Sequence, residues 1–569
     1  MISKIGCVRF AIVTAGTTII LMGCRTSPRG NSASMAGPGW PEETRILPQA
    51  VAPKEWPQVP PPDGAAAEVP QGYQVEVLLK DLTYPSSIAF DEGGNLFVAE
   101  AGYSYGDPVA PARILRVNRD GKMEYIAHQF NGPISGLTWH QGRLYVSHFG
   151  KISVVEKDGN VHDIVRDIPL SPAHPNSEVA VGRDGKLYFA VGSLSNSGVV
   201  GLDEASPFLG LLFWPDLHDV PPVDLRLTGV SYPTPEPMNV MAKQGKLTSN
   251  GRIFSDFVSS LFNKGKHRTL LARTGPFQPF GQNAHEVKAE KIGSTAVYRM
   301  NADGSGLELY AWGLRSPFGF RFGPDGELYC SDNGPDERGS RPIANAKDDI
   351  WLIRKGGWYG FPDFSSGIPL TDPRFVSSRG PKPQSLLRDH PPVERPLFSR
   401  PPHSGVAKFD FSTNRDFGFE RNMFLAEVGS GAPINAPGTV PAGFQVVRVD
   451  LGTGRTEPFF KAKTSALGPE PYKHVVTAGP RRPVDVRFSP DGSALYVVDF
   501  GPIAAFPAGV GPLVHPFPGA GVVWRITREG SSPQIPSGLS PLVQSERSAS
   551  GAPQRSSESQ AGKSESKQP

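Results

Sequence analysis

The chain has 569 residues, of which 64 are glycine and 59 are proline, and its net charge at pH 7 is +3. This abundance of glycine and proline favours many short strands joined by turns over a helical protein. Because the charge is mild and basic runs are not interleaved with aromatic residues, we expect no nucleic-acid partner.

The first 23 residues are typical of a bacterial export signal. Lys4 and Arg9 precede an apolar stretch at residues 10–22, which is too short to span a bilayer comfortably as a permanent helix. A small residue and Cys24 follow, in a pattern that resembles a bacterial lipobox. We therefore expect an exported protein that is lipid-anchored to the membrane through Cys24 and faces the periplasm. A plain signal peptide with an incidental cysteine is the alternative interpretation.

Two segments, one near each end of the sequence, have an amino-acid composition that is typical of unfolded chain. Residues 24–70 are rich in proline, alanine, glycine and serine, and we predict that they form a tether between the lipid and the folded part. Residues 531–569 contain almost no large apolar side chain. They are predicted to be disordered, because they cannot bury enough surface to offset the entropy lost on ordering.

One pattern recurs six times between residues 71 and 530. It consists of an apolar run with alternating polarity, a turn rich in glycine and aspartate, and a second run that ends in a small or acidic residue. The copies begin at Ser87, Gly136, Val179, Phe320, Val406 and Val486. Alternation at period two indicates strands, and Asp-Gly supplies the turn where positive φ is needed, so each copy is predicted to be a hairpin. A third strand follows most copies, for example at residues 114–117.

These repeats favour one closed architecture. A single hairpin buries too little surface to be stable, whereas hairpins repeated around an axis form a ring with only short edges. We therefore predict an all-β protein, a six-bladed β-propeller over residues 71–530. The early strand at 73–79 or the late strand at 522–526 is expected to close the ring. A two-domain β-sandwich is the alternative fold.

The spacing of the repeats breaks at about residues 201–296. Several prolines and a helical-looking run at residues 253–262 occur in this stretch. We predict a long insertion of loop and helix on one face of the propeller, and long structured insertions are commonly lids or binding loops.

Residues 312–364 contain the motifs with the clearest chemistry. They read Gly-Leu-Arg-Ser-Pro around Arg315, then Asp-Asn-Gly-Pro ending at Pro335, then an acidic pair, and finally Gly-Gly-Trp-Tyr-Gly-Phe-Pro around Tyr359. This order resembles the PQQ-dependent sugar dehydrogenases of the glucose and sorbosone type. Their pattern is Gly-x-Arg-Asn-Pro-x-Gly, a hairpin, a Gly-Pro loop, an acidic pair and Gly-Gly-x-Tyr-Gly-Trp-Pro.

The resemblance covers about residues 70–530 and implies a set of cofactor ligands. Arg315 would hold a carboxylate of PQQ, for which a guanidinium is the best partner. The backbone carbonyls of Gly334 and Pro335 would bind calcium, which prefers hard oxygen ligands. A second, structural calcium site is matched by three further residues, Asp348, Asp349 and Tyr359.

Two other stretches resemble the same family. His174 precedes the third hairpin at the spacing of the family's general base, and a histidine near its ordinary pKa suits that role at neutral pH. A loop histidine that caps a turn is the alternative. Arg482 precedes the sixth hairpin, where the family places basic residues against the cofactor.

The sequence departs from the family at cofactor positions. Ser316 replaces the Asn after the Arg, Val484 replaces a second Arg, and residues 424–430 lack a lysine that the family's soluble glucose enzymes have there. Because a charge-assisted hydrogen bond contributes ~1.5–3 kcal/mol, the loss of two cations beside a tricarboxylate costs several kcal/mol. Arg338 and Arg341 lie in an insertion after the Gly-Pro loop, and we hypothesise that they restore the missing charge.

Together these features predict an enzyme that oxidises a sugar or polyol hydroxyl with PQQ and calcium. No Cys-x-x-Cys-His motif is present, so the electron acceptor is expected to be a separate cytochrome or quinone. A non-catalytic, surface-anchored propeller that binds a carbohydrate or a protein partner is the alternative. Convergence of Arg338 and Arg341 on a pocket with Arg315 would favour the enzyme. A lactonase-type hydrolase would need several calcium-binding side chains on the axis, which the sequence does not assemble.

Overall fold

The computed structural model describes residues 58–102, 110–128, 130–169, 174–201, 217–235, 271–430, 442–463, 477–508 and 511–530. The predicted signal segment, Cys24, the run at 253–262 and the predicted tail at 531–569 lie outside these residues. Within the described part of the chain, no helix has the length and apolar character that a membrane crossing requires.

Six antiparallel sheets of four or five strands form the body of the described chain, and innermost strands of neighbouring sheets pack against each other, for example Pro85–Phe90 with Ile134–His140 and Val406–Phe411 with Pro483–Phe488. We number these sheets as blades 1 to 6 in chain order. Blade 1 contains Pro85–Phe90, Leu96–Glu100, Arg113–Val117 and Met123–Ala127. Blade 2 contains Ile134–His140, Arg143–His148, Lys151–Val155 and Val161–Val165. Blade 3 contains Ala180–Val181, Leu187–Val191, Ala296–Met300 and Glu308–Trp312.

The second half of the ring repeats this arrangement. Blade 4 contains Pro317–Phe322, Leu328–Asp332, Asp348–Leu352 and Phe398–Arg400. Blade 5 contains Ala67–Glu68, Val406–Phe411, Met423–Glu427, Gln445–Val449 and Thr456–Ala462. Blade 6 contains Tyr73–Leu82, Pro483–Phe488, Ala494–Asp499 and Gly521–Arg528. The predicted all-β, six-bladed propeller is therefore confirmed.

The remaining elements are short and lie between or beside the blade strands. Four small two-stranded sheets pair Leu225–Arg226 with Glu286–Val287, Tyr232–Pro235 with Leu271–Thr274, Phe364–Ser365 with Ile368–Pro369, and Ile503–Ala508 with Gly511–Pro516. Two single 3-10 turns occur in the described chain, Gly64–Ala66 and Pro373–Phe375.

The predicted Asp-Gly turns join the first and second strands of several blades. In blade 4, Gly326 adopts φ +86°, which a residue with a side chain rarely takes. The preceding Asp325 accepts a hydrogen bond from the backbone N–H of Glu327 at 3.1 Å. This local chemistry sets the register of the hairpin, and it explains why the repeat can be read from the sequence.

Both strands that were candidates for closing the ring take part in its closure. Tyr73–Leu82 is the outermost strand of blade 6 and pairs antiparallel with Gly521–Arg528, with Val77 opposite Trp524. The segment before it also packs on the propeller, since Ala67–Glu68 pairs with the outer strand of blade 5. The last residues of the segment predicted as a tether thus belong to a sheet, while residues 24–57 lie outside the described chain.

Apolar side chains between neighbouring blades form the core. Between blades 5 and 6, Phe424, Phe460 and Val486 pack with Trp524, and the ring centroids of Phe460 and Trp524 are 5.7 Å apart. Fully burying a side chain of this kind contributes ~1.5–3 kcal/mol. Neighbouring blades are therefore held together mainly by their apolar faces, which a single hairpin could not bury.

One face of the propeller carries the long connections. In every blade the loop from the second to the third strand leaves at the end where the innermost strand begins, because neighbouring strands are antiparallel. We call this the upper face. The insertion of blade 3, residues 192–295, joins Leu187–Val191 to Ala296–Met300, so it leaves the blade and returns to it at this face. The described parts of this insertion are short hairpins and loops.

A glycine on the innermost strand of blade 2 provides a test of the packing at the centre. A Cβ added to Gly136 would lie 2.3 Å from Glu178 Cβ and 2.5 Å from its Cα. We expect Gly136→Ala to lower the free energy of unfolding by about 1–3 kcal/mol, the usual cost of overpacking. Urea denaturation measures this, with Gly452→Ala as control, since the nearest atom to a Cβ there is a side-chain oxygen at 3.4 Å. Equal stability of the two variants would contradict the tight packing.

Candidate functional site

His174 lies on the upper face, just before the innermost strand of blade 3, and is 7% exposed. Its Nδ1 is 2.9 Å from the carbonyl oxygen of Ser193 and 3.1 Å from the Ser193 hydroxyl. A carbonyl can only accept, and the single hydroxyl proton is donated to Ser195 O at 2.7 Å. Nδ1 must therefore carry the proton, which leaves the lone pair on Nε2.

The environment of His174 keeps its imidazole neutral. Burial lowers its pKa well below 6.5, and the positive charges of Arg315 and Arg338 lower it further. The sequence suggested a histidine near its ordinary pKa, so this shift is a difference that only the tertiary contacts produce. A neutral imidazole with an unprotonated Nε2 can act as a general base.

Arg315 is held beside His174 by the loop that begins the blade 3 insertion. Its backbone oxygen accepts a hydrogen bond from Ser193 N at 2.7 Å. The guanidinium, 6% exposed, donates to Asn196 through Nε, 2.9 Å from the carbonyl, and through Nη2, 2.8 Å from Oδ1. Nη1 lies 3.2 Å from Asn333 O. His174 and Arg315 are thus fixed to one turn and share one face.

Asp336 gathers three basic side chains into a compact group. Its Oδ2 is 3.3 Å from Arg315 Nη2 and 3.2 Å from Arg338 Nε, and its Oδ1 is 3.2 Å from His403 Nδ1. We call Arg315, Asp336, Arg338 and His403 the cationic cluster. Burial alone would raise the pKa of Asp336, but the hydrogen bond from His403 and the two guanidiniums hold it well below its usual range. One carboxylate faces two guanidiniums, so the cluster has a net positive charge.

His403 and Asp336 were missed at the sequence level. Burial acts to lower the pKa of His403, but the hydrogen bond to Asp336 and the negative charges of Asp336 and Asp348 together outweigh burial and raise that pKa above 6.5. Two signals could have found these residues. Asp336 directly follows the Gly-Pro motif, and His403 stands just before the innermost strand of blade 5, as His174 does in blade 3.

Of the two arginines proposed to restore charge, only Arg338 joins the cluster. Arg341 is 1% exposed. Its Nη1 donates to the carbonyls of Ser197 and Pro362 at 2.8 and 2.7 Å, and its Nη2 lies 3.0 Å from Asp363 Oδ1. These bonds tie the blade 3 insertion to the loop after Tyr359, so the structure gives Arg341 a scaffold role.

Arg482 holds the loop that follows the second strand of blade 5. Its Nη1 is 3.1 Å from both Val428 O and Gly429 O, and its guanidinium carbon lies 4.8 Å from the centre of the Phe444 ring. Gly429 N in turn donates to Ser404 O at 3.0 Å. Arg482 is therefore linked to the cationic cluster through the loop beside His403.

The residues matched to calcium sites divide between separate partners. Gly334 fits closely, because an added Cβ would meet Lys347 O at 2.4 Å. Asp348 Oδ1 accepts from Gly334 N at 3.1 Å, and its Oδ2 accepts from Gly405 N at 2.8 Å. Burial raises the pKa of Asp348. This carboxylate joins the Gly-Pro loop to blade 5 through backbone donors.

Asp349 and Tyr359 bond elsewhere. Both oxygens of Asp349 lie 2.9 Å from the Ser366 hydroxyl, and Oδ1 also accepts from Ser399 at 2.5 Å. The Tyr359 hydroxyl donates to Leu352 O at 2.9 Å. Among the described residues, no group of three or more His, Cys, Asp or Glu side chains is placed to hold a metal. The side chains therefore do not fit a calcium ion, and the carbonyls of the Gly-Pro loop stay predicted ligands.

A small cavity of about 20 Å³ lies beside the cluster. Its lining includes Arg315, Asp332, Gly334, Pro335, Asp349 and Tyr359. Asp332 and Asp349 face each other across neighbouring strands, and burial raises the pKa of each carboxyl to about 7. The cavity walls are thus acidic groups that take up protons near neutral pH, whereas the cationic cluster is positive.

A balanced group of charges fills the centre of the ring below this site. Glu178 contacts the innermost strands of three blades, through Gly136, Phe320 and Arg487. Asp485 Oδ1 is 2.8 Å from Arg487 Nη1, and Arg321, Lys408 and Asp410 complete the group. We call these six residues the axial network. They were missed at the sequence level, since their partners come from different blades.

Comparison with known proteins gives distant similarities. No family model matches the chain. The chain is 26% identical to quinoprotein glucose dehydrogenase B of Acinetobacter calcoaceticus over 201 residues, which are 35% of this chain and 28% of that relative's length. An uncharacterized protein of Borreliella burgdorferi is 23% identical over 440 residues, which cover 76% of this chain and 88% of that relative.

Two solved structures are also similar. The holo form of the PQQ domain of pyranose dehydrogenase from Coprinopsis cinerea has 16% identity and a TM-score of 0.48, covering 83% of this chain and 99% of that chain. The PQQ-bound aldose sugar dehydrogenase from Streptomyces coelicolor has 13% identity and a TM-score of 0.42, covering 81% of this chain and 99% of that chain.

Proposed function

We propose that the protein is a dehydrogenase that oxidises a hydroxyl of a sugar or other polyol with PQQ as its cofactor. The observation that carries this proposal is the pairing of a base with the arginines of the cationic cluster. The neutral imidazole of His174, with its lone pair on Nε2, lies within the electrostatic reach of Arg315 and Arg338. A base of this kind can take the proton of a substrate hydroxyl, and guanidiniums favour the binding of a carboxylate-bearing quinone beside it.

The cationic cluster fits a cofactor with several carboxylates. Arg315 and Arg338 both contact the same oxygen of Asp336, so one carboxylate is shared by two guanidiniums. The Arg338 side chain is 20% exposed and can turn part of its donor set toward a bound carboxylate. We propose Arg315 and Arg338 as the cofactor clamps, with Arg482 behind the neighbouring loop. No step is assigned to calcium, because the described side chains do not fit it.

Oxidation of the substrate hydroxyl removes a proton from its oxygen and a hydride from its carbon. Nε2 of His174 accepts the proton of the substrate hydroxyl while the carbonyl bond of the product forms. PQQ, held by Arg315 and Arg338, would supply the acceptor for the hydride that leaves the same carbon. Because Nδ1–H is bonded to Ser193, the imidazole keeps its orientation when it gains the proton. The nearby guanidiniums disfavour the imidazolium, which favours prompt release of this proton.

We further propose the cellular setting that the sequence indicates. The chain would be exported, anchored to the membrane through Cys24 and exposed to the periplasm. Electrons would then pass to a separate cytochrome or quinone. Mass spectrometry of the peptide that begins at Cys24 tests the anchor, and an unmodified cysteine would contradict it.

The decisive test of function is reconstitution. Purified protein is incubated with PQQ, with and without calcium, and then assayed for retained quinone absorbance and dye reduction with a panel of sugars. We expect bound quinone and reduction of the dye by at least one sugar. Failure to retain PQQ together with no dye reduction would overturn the proposal in favour of a non-catalytic binding protein.

Removing the charge of Arg338 provides a more specific test. We expect Arg338→Gln to weaken PQQ binding by roughly 10- to 100-fold, because a charge-assisted hydrogen bond contributes ~1.5–3 kcal/mol. A fluorescence titration with PQQ measures the change. Arg374→Gln is the control, since Arg374 is an exposed arginine that also pairs with an aspartate. Equal affinities of the two variants for PQQ would show that Arg338 is not part of the cofactor pocket.

The pH dependence of activity follows from the state of His174. Because its pKa is lowered well below 6.5, Nε2 stays unprotonated as the pH falls, and the base is lost only when the pH passes through the lowered pKa. We expect kcat/KM to be nearly constant between pH ~8 and ~6. Arg338→Gln should move the acid limb to higher pH, since it removes one of the charges that lower this pKa. A half-loss of activity at or above pH 6.5 in the wild type would contradict this.

A further inference from the structure

The imidazole of His174 rests on a turn formed by residues 193–195, at the start of the blade 3 insertion. This turn supplies both acceptors for Nδ1, the carbonyl and the hydroxyl of Ser193. Its first backbone N–H, that of Ser193, donates to Arg315 O at 2.7 Å. The orientation of the base therefore depends on where this turn is held.

The side chain of Asp219 holds this turn in place through hydrogen bonds. Its Oδ1 accepts a hydrogen bond from Leu194 N at 2.7 Å, and its Oδ2 accepts from the Ser195 hydroxyl. Ser294, at the other end of the insertion, lies 3.2 Å from Oδ1 through its hydroxyl. Asp219 is 1% exposed. A fully buried carboxylate thus joins the two ends of the insertion to the turn under His174.

We propose that Asp219 is the positioning residue of the catalytic base, which it keeps in the Nδ1–H form by fixing the 193–195 turn. The inference rests on the proposed function, in which Nε2 of His174 accepts the substrate proton. A neutral imidazole can carry its proton on either nitrogen, and the bond made by one nitrogen decides the state of the other. If the proton moves to Nε2, the site has no base.

The loss of the Asp219 carboxylate acts at a distance from the substrate. In its amide isostere one of the two acceptors becomes a donor. Leu194 N–H can use only the remaining oxygen, so the Ser195 hydroxyl must turn and accept, and the present arrangement of bonds to the turn is lost. The Ser193 carbonyl is then free to shift, and both proton arrangements of His174 become populated. Because misplacement of a reacting group by about 1 Å costs on the order of 10²-fold in rate, we expect Asp219→Asn to lower kcat about 10- to 100-fold with little change in KM.

The experiment uses full-length protein labelled with ¹⁵N-histidine, compared by NMR for wild type, Asp219→Asn and Ser195→Ala. The His174 signals are assigned by their loss in His174→Asn. In the wild type we expect a protonated Nδ1 and an unprotonated Nε2, and in both variants a mixture of the two forms. Ser195→Ala keeps the carboxylate and removes the hydroxyl that bonds Asp219 and accepts from Gly198 N, so it serves if the first variant folds poorly.

Asp303→Asn is the matched control. Asp303 also accepts hydrogen bonds from a backbone N–H and a serine hydroxyl within one turn, but that turn joins outer strands of blade 3. We expect this variant to keep the wild-type signals and kcat. An unprotonated Nδ1 in the wild type, or unchanged His174 signals in Asp219→Asn and Ser195→Ala, would overturn the inference. The NMR signals are read without turnover, so absence of dehydrogenase activity would refute the proposed function alone.

Discussion

Replacing His174 by asparagine is expected to lower kcat for sugar oxidation by roughly 10²–10⁴-fold, the range that a positioned general base contributes. The reason is specific to the site. Nε2 is the atom that accepts the substrate proton. In the cationic cluster the guanidiniums stay protonated, and His403 is bonded to Asp336, which raises its pKa, so neither substitutes as the base. Steady-state kinetics with dye reduction measures the loss, and circular dichroism confirms that the propeller remains folded.

The control for this variant is a histidine on the outer edge of the ring. His162 lies on the outermost strand of blade 2, and its side chain is 49% exposed. We expect His162→Asn to retain wild-type kcat. PQQ binding by His174→Asn should also persist, because the clamps are Arg315 and Arg338. A His174 variant with full activity would place the base elsewhere and would refute the proposed mechanism.

Neutralising Glu178 is expected to lower the free energy of unfolding by about 3–5 kcal/mol, the usual effect of breaking a buried ion pair. In the axial network, Glu178 pairs with Arg487 and lies 3.8 Å from Arg321. The network contains three anions and three cations, so the loss of one carboxylate leaves a buried positive charge without compensation. Glu178→Gln preserves the shape of the side chain, and urea denaturation followed by intrinsic fluorescence measures the change.

A double variant separates charge balance from packing. Glu178→Gln combined with Arg487→Met removes one anion and one cation, so the network regains its balance, and we expect part of the lost stability to return. Glu420→Gln is the control, since the ion pair of Arg415 and Glu420 is largely exposed and such pairs contribute little. Equal stability of Glu178→Gln and the wild type would show that the axial charges are screened by water.

The acidic pair of blade 4 shows where inference from sequence reached its limit. Asp348 and Asp349 are adjacent in the sequence and were matched to one metal site. They lie in the strand Asp348–Leu352, where successive side chains point to opposite faces. Asp348 therefore meets backbone donors of Gly334 and Gly405, while Asp349 meets serine hydroxyls. Residues that are adjacent in a strand have side chains on opposite faces. Their adjacency in the sequence therefore could not indicate that they bind the same ion.

Arg338 and Arg341 illustrate the same limit in a loop. Both were proposed to supply charge to one pocket, but a loop has no fixed period from which side-chain directions could be read. The structure directs Arg338 to Asp336 and Arg341 to Asp363. The cation that the sequence did not reveal, His403, comes from the entry to another blade.

The sequence by itself determined the blades of this protein, because strand alternation and Asp-Gly turns act between residues that are close along the chain. The position of His174 and Arg315 at the entries to innermost strands followed from the same local pattern. Only the tertiary structure decided the closure by Tyr73–Leu82, the axial network, the cationic cluster and the protonation of the base. Each of these depends on contacts between residues far apart in the chain, and burial, which sets the pKa of His174, exists only after the ring has closed.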